Sequence, residues 1–145
     1  MKAESVLLDT GPLVAMLAPP DPFHIKCLHE ADKIRGRLIT CEAVVTEAAY
    51  LLQHTRTGVD DLLKFVASED VLLFPIPADG LFWIRRFRTR YADQTPDFAD
   101  MCLMHLADRF NLSDIFTLDR RDFSVYRRTD GSAMNILPQA SESPA

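Results

Sequence analysis

Cysteine is scarce in this chain, and long apolar runs are missing. The three cysteines, Cys27, Cys41 and Cys102, are an odd number at wide spacing, a pattern that fits reduced core thiols and not a disulfide framework. No stretch reaches the roughly 18 uninterrupted apolar residues that a membrane-spanning helix needs. The N-terminal MKAESVLLDT carries no long apolar segment followed by a small-residue cleavage site. The expectation is therefore a cytoplasmic protein with no membrane contact. No Cys/His set has zinc spacing; His24 and Cys27 form only an isolated pair. Internal repeats and linkers are absent too. Positive charge is not in excess: 16 Lys and Arg stand against 21 Asp and Glu, a net charge of −5, which excludes a wholly electropositive surface and leaves room for a local basic patch.

What is present is the composition of a folded domain, 48% hydrophobic and 26% charged. At 145 residues the chain has room for one domain of roughly 150 residues but not for two. Residues 1–138 are expected to form it, with the polar QASESPA of 139–145 as a disordered tail.

Short apolar runs alternate with helical patterns. Val6 to Leu8 reads as a strand ending at Asp9, and Thr10-Gly11-Pro12 turns into a helix through Leu17 that Pro19-Pro20 stops. Pro22 to Ile34 is helical, Arg37 to Thr40 a strand, and Glu42 to His54 a helix with Val44, Val45, Ala48, Leu51 and Leu52 on one stripe. A helix near Val59 to Ser68, a strand over Val71 to Ile76, and a helix over Asp79 to Tyr91 with Leu81, Ile84, Phe87 and Tyr91 inward follow. Thr95-Pro96 opens a helix from Asp97 to about Phe110, closed by Asn111. Strands over Ile115 to Leu118 and Ala133 to Leu137 complete the order. Strands separated by helices imply crossover connections, so the predicted fold is a three-layer α/β/α domain around a mostly parallel sheet of four to five strands.

Ligands bind such sheets beyond the carboxyl ends of the strands, where the strand order reverses. Asp9 and Asp119 both follow strands and meet at one rim if those strands are neighbours; singly, each reads equally well as a helix cap. On the helix from Asp97, the residues Asp97, Asp100, Met104 and Asp108 share one side while Phe98, Ala99, Cys102, Leu106 and Phe110 share the other. The helix dipole alone accounts for acids in the first turn. Asp108, at the opposite end, reads as a solvated surface residue. Glu47 borders the apolar stripe of its helix, where a bare carboxylate is costly; it is protonated, paired with a cation such as an arginine, or a metal ligand.

Carboxylates gathered at one site need protons or a divalent cation to neutralise them, and oxygen-only donors select Mg²⁺ or Mn²⁺. The chemistry such a site supports is phosphoryl transfer, with a phosphodiester as a natural substrate. Thr10 and Thr117 stand beside these acids and are candidates to orient them. Arg85, Arg86, Arg88 and Arg90, with Phe82, Trp83 and Tyr91, supply candidate phosphate and stacking groups, and Arg120 and Arg121 follow Asp119 directly. The same WIRRFRTRY segment also fits an amphipathic helix with a solvated basic face.

Three segments, LLDTGPLVAML, VVTEAAYLL and DFADMCLMHLADRFNLSDIFTLDRRDF, together resemble the PIN-domain ribonucleases, and in particular the VapC-type toxins of toxin–antitoxin pairs, over nearly the whole chain. The resemblance implies that Asp9, Glu47, Asp100 and Asp119 bind Mg²⁺ or Mn²⁺ for RNA hydrolysis, with Asp97 as an auxiliary acid and Asp122 structural. It also implies a homodimer and a small VapB-like antitoxin that inserts a basic side chain among the acids. Met101-Cys102 departs from the small residues common in related sequences but leaves every expected acid in place. A phosphatase with Asp9 as nucleophile would need a second acid two residues on, where this chain has Gly11. The non-enzymatic alternative is a PIN-like module that binds RNA or a peptide without turnover.

Overall fold

The structure, a computed structural model, describes residues 4–140. Its centre is a five-stranded sheet in which every pairing is parallel. The strands are β1 (Val6–Leu8), β2 (Leu38–Thr40), β3 (Val71–Leu73), β4 (Asp114–Phe116) and β5 (Asn135–Leu137). Their order is β3-β2-β1-β4-β5, so the chain winds outward from β1 in one direction and then in the other. The reversal falls between β1 and β4, the place where such sheets bind ligands.

The helices are α1 (Thr10–Leu17), α2 (His24–Asp32), α3 (Glu42–Leu52), α4 (Gly58–Val66), α5 (Gly80–Arg90), α6 (Phe98–Arg109) and the short α7 (Arg120–Phe123). Helices α1 to α4 pack among themselves, α5 packs on α6, and α3 meets α6. Parallel strands covered on both faces are apolar throughout, and β1 and β2 are buried at every residue. Among the described residues no helix is long and apolar enough to cross a membrane.

Several expectations change in detail. β3 stops at Leu73 and not at Ile76, because Pro75 has no N–H to donate; Phe74 makes the last bond, from its amide to the Thr40 carbonyl at 3.0 Å. Leu51 and Leu81, expected inward, are exposed. The two-sided reading of α6 also fails: residues 99–107 are all buried, Met104 completely, while Phe98 is exposed. The sheet, α3 and α5 press on α6 from several directions, so it has no solvent face to mark with polar residues. Asn111 does close this helix, in the left-handed region at φ 53°. Helix α7 lies in a segment where no helix was expected. Of the tail, Ser141 to Ala145 lie outside the described residues.

Candidate metal centre

Chain direction and register bring Asp9 and Thr117 together. Leu8 pairs with Phe116, the Asp9 amide donates to the Phe116 carbonyl at 3.0 Å, and the Thr117 amide donates to the Leu137 carbonyl at 2.9 Å. The ladder thus holds the first residue past each strand at the rim. There the Thr117 hydroxyl donates to Asp9 Oδ2 at 2.7 Å and accepts from the Asp119 amide at 2.9 Å. One completely buried threonine therefore fixes an acid from β1 and the turn that carries an acid from β4. Between two packed helices, Thr10 Oγ1 donates to Glu47 Oε2 at 2.7 Å, tying α1 to α3. Each threonine orients a carboxylate from another element, not the acid nearest to it in sequence.

Two Asp-x-x-Asp turns supply the remaining acids. Asp97 caps α6 by accepting from the Asp100 amide at 2.8 Å, and Asp119 caps α7 by accepting from the Asp122 amide at 3.1 Å. Asp100, Asp119 and Asp122 each present a carboxylate oxygen within 4.8 Å of the others. Asp100 and Asp119 are expected here from the sequence; Asp122, expected to be structural, joins them, and the repeated three-residue spacing is the signal for it. Asp9 and Asp97 lie close enough to Asp100 to bear on its charge, and Glu47 bears on Asp9.

That charge is uncompensated. None of these six acids forms an ion pair among the described residues, so the arginine partner considered for Glu47 is not there. Burial, reinforced by Asp97 and Glu47, outweighs the hydrogen bonds from Thr117 and the Thr10 amide and raises Asp9 to about 6. Burial and the charges of Asp9, Asp97 and Asp119 push Asp100 to about 9. Asp122 is also raised, by burial and by Asp119. Arg121 acts on Asp122 in the opposite sense without forming an ion pair. Oxygen-only donors that repel one another have the chemistry of a hard divalent-cation site, so the residues fit such an ion.

Asp108 is not the solvated residue expected. It accepts from Trp83 Nε1 at 3.0 Å, from the Thr129 amide at 2.8 Å and from the Thr129 hydroxyl at 2.6 Å, clamping α6 to α5 and to the loop before β5. Arg85, Arg86 and Arg88 are exposed on α5, and the first two line a groove of about 490 Å³ with Phe82, Thr89 and Arg90. Arg120 and Arg121 are exposed on α7, and Arg120 Nη1 donates to the Pro138 carbonyl at 2.6 Å. Tyr91 is buried, its hydroxyl accepting from the Arg127 amide at 2.9 Å, and is no stacking surface for a ligand.

Known proteins match this chain in sequence and in fold. The family model described as PIN domain matches residues 6–129. Ribonuclease VapC26 of Mycobacterium tuberculosis (strain ATCC 25618 / H37Rv) is 32% identical over 136 residues, covering 92% of this chain and all of that protein. Two crystal structures share the fold. One is M. tuberculosis VapC20, described as a sarcin–ricin loop cleaving toxin, with a TM-score of 0.70 and 15% identity over 76% of this chain and 86% of that one. The other is VapBC2 of Rickettsia felis bound to a DNA fragment from its promoter, with a TM-score of 0.60 and 16% identity over 82% of this chain and 90% of that one. With a family model that spans most of its length and a relative of this identity along its whole extent, the chain belongs to the PIN domain family.

Proposed function

We propose that this protein is a divalent-cation-dependent endoribonuclease, the toxin of a toxin–antitoxin pair, and that it hydrolyses RNA phosphodiesters at the rim between β1 and β4. The observation that carries this reading is the convergence of Asp100, Asp119 and Asp122, with Asp9 and Asp97 acting on Asp100 and no ion pair to any of them among the described residues, beside the point where strand order reverses. The similarity to VapC26, a protein named as a ribonuclease, supports the same reaction class.

Asp9, Glu47, Asp100 and Asp119 would hold Mg²⁺ or Mn²⁺, with Asp97 and Asp122 completing the acidic ring. When bound, such a cation supplies Lewis acidity toward the attacked phosphate and a water. The chain does the positioning. Thr117 fixes Asp9 and the Asp119 turn together, Thr10 fixes Glu47, and the Asp97 cap sets the first turn of α6 and with it Asp100. Arg85, Arg86, Arg88, Arg120 and Arg121 supply the positive charge that draws an RNA backbone toward an acidic centre. A homodimer, and a small antitoxin that offers a basic side chain to the acids, complete the proposal; the uncompensated charge of the rim suits such a side chain.

The test is cleavage of a panel of structured RNAs and single-stranded DNA by purified protein with Mg²⁺ or Mn²⁺, and with EDTA. Cutting of RNA that EDTA abolishes is the expected result. Silence toward every RNA, from protein free of any copurified partner, would leave the binding module without turnover as the better description.

A further inference from the structure

Of the aromatic side chains that the sequence offers for stacking on a ligand, the fold leaves one free. Trp83 is half-buried, its ring lies on that of Phe87 at a centroid distance of 5.3 Å and an interplanar angle of 19°, and its indole N–H donates to Asp108 at 3.0 Å. Tyr91 is buried. Phe82 is 61% exposed, and it lines a groove of about 490 Å³ whose other walls are Arg85, Arg86, Thr89 and Arg90. These residues stand at i, i+3, i+4, i+7 and i+8, a single stripe of α5 opposite the buried Ile84 and Phe87. A stripe of this period is the one a helix ordinarily buries, and here it holds three guanidinium groups around an open ring. Among the described residues none of the three arginines forms an ion pair, although the chain carries more acids than bases.

We propose that Phe82 is a specificity-determining residue for the RNA: its ring stacks on one unpaired base while Arg85, Arg86 and Arg90 hold the flanking phosphates. This rests on the RNA reading of the proposed function and deepens it, since it makes the substrate a single strand or a loop. Cations spaced around a flat ring match a sugar–phosphate backbone that turns a base inward. A base inside a duplex already has both faces stacked and offers neither to Phe82. An acidic peptide would also neutralise the arginines, but with Phe82 as its only apolar wall the groove has no pocket for the apolar anchors on which peptides dock.

The test is fluorescence anisotropy with a labelled single-stranded oligoribonucleotide, and with the same strand annealed to its complement, in EDTA to prevent cutting. Wild type should bind the single strand more tightly than the duplex. Phe82→Ala should bind the single strand about ten-fold more weakly and the duplex as wild type does, with an unchanged salt slope because the ring carries no charge; Phe82→Tyr, which keeps a stacking face, should restore the affinity. Wild-type binding of the single strand by Phe82→Ala would overturn the inference and leave the nuclease reading standing, which cleavage by wild type in Mn²⁺ reads separately. An equal loss on single strand and duplex would also overturn it, as would wild type that binds neither. A polyglutamate peptide that binds wild type more tightly than the single strand does, and Phe82→Ala less, would make the stripe a protein-docking face and overturn it too.

Discussion

Thr117 and Asp9 are 108 residues apart in sequence and 2.7 Å apart at their hydroxyl and carboxylate oxygens. The bond exists because β1 and β4 are adjacent parallel strands in register, which places the residue after each strand at the same height. The same hydroxyl accepts from the Asp119 amide, so a single side chain couples the acid after β1 to the turn after β4.

Thr117→Val preserves shape and removes both bonds. The expected loss is about 1–3 kcal/mol of stability by urea unfolding, since the Asp119 amide is left without its acceptor. RNA cleavage should fall about ten- to a hundred-fold, as for other residues that orient metal ligands. A variant as stable and as active as wild type would remove Thr117 from the account.

The raised carboxyls set a pH dependence. Asp9 and Asp100 titrate from 3.8 in the unfolded chain to about 6 and about 9 in the fold. Between those values the native state binds more protons than the unfolded state, so stability falls as pH rises through the window. Thermal midpoints in EDTA should therefore decline from about pH 5 to about pH 9 through these two groups, while the gain from Mn²⁺ grows over the same range as protons cease to compete. A Mn²⁺ gain that shrinks with rising pH would contradict this electrostatic picture.

Gly80 opens α5 against α6, and a Cβ there would stand 2.8 Å from His105 Nε2 and 3.1 Å from its Cε1. His105 is itself buried and stacks edgewise on Trp83, so it has little room to move. Gly80→Ala should cost about 1–3 kcal/mol through overpacking, read as a lower thermal midpoint, with Mn²⁺ affinity unchanged because the contact is remote from the acids. Wild-type stability in this variant would show the α5–α6 seam to be softer than its geometry indicates.

Arg85 and Arg86 line the α5 groove beside the exposed Phe82. Replacing both with Ala should weaken RNA binding similarly across sequences and lower the slope of log affinity against log salt by roughly one per arginine removed, as expected of phosphate contacts. An unchanged slope would mean that the face is merely solvated.

Much of this architecture is legible in the sequence where a local signal and a global constraint coincide. Asp9 ends an apolar run and precedes a turn into a helix, so its place at a strand's carboxyl end can be read directly. Glu47 stands out because a carboxylate beside Val44 and Ala48 is out of character for a buried stripe. What escaped depends on contacts between distant segments. Met104 looked polar-sided because helical periodicity assumes one solvent face, and α6 has none. The crossing of Thr10 to Glu47 and Thr117 to Asp9 follows from strand order, which spacing does not encode. Asp122 reads as structural because α7 is a single turn, too short to register as periodicity; its carboxylate reaches the site because the Asp119 cap winds that turn. Asp108 read as surface because its partners, Trp83 and Thr129, lie more than 20 residues away on either side.

The most direct test of the central claim uses Asp9→Asn and Asp100→Asn beside wild type, with RNA cleavage in Mn²⁺ and the thermal midpoint in EDTA measured on the same samples. Both variants should be folded, with midpoints at or above wild type because an amide replaces a carboxyl whose ionised form burial and like charges disfavour, and neither should cut RNA. A folded Asp9→Asn or Asp100→Asn protein that cleaves at the wild-type rate would contradict the claim.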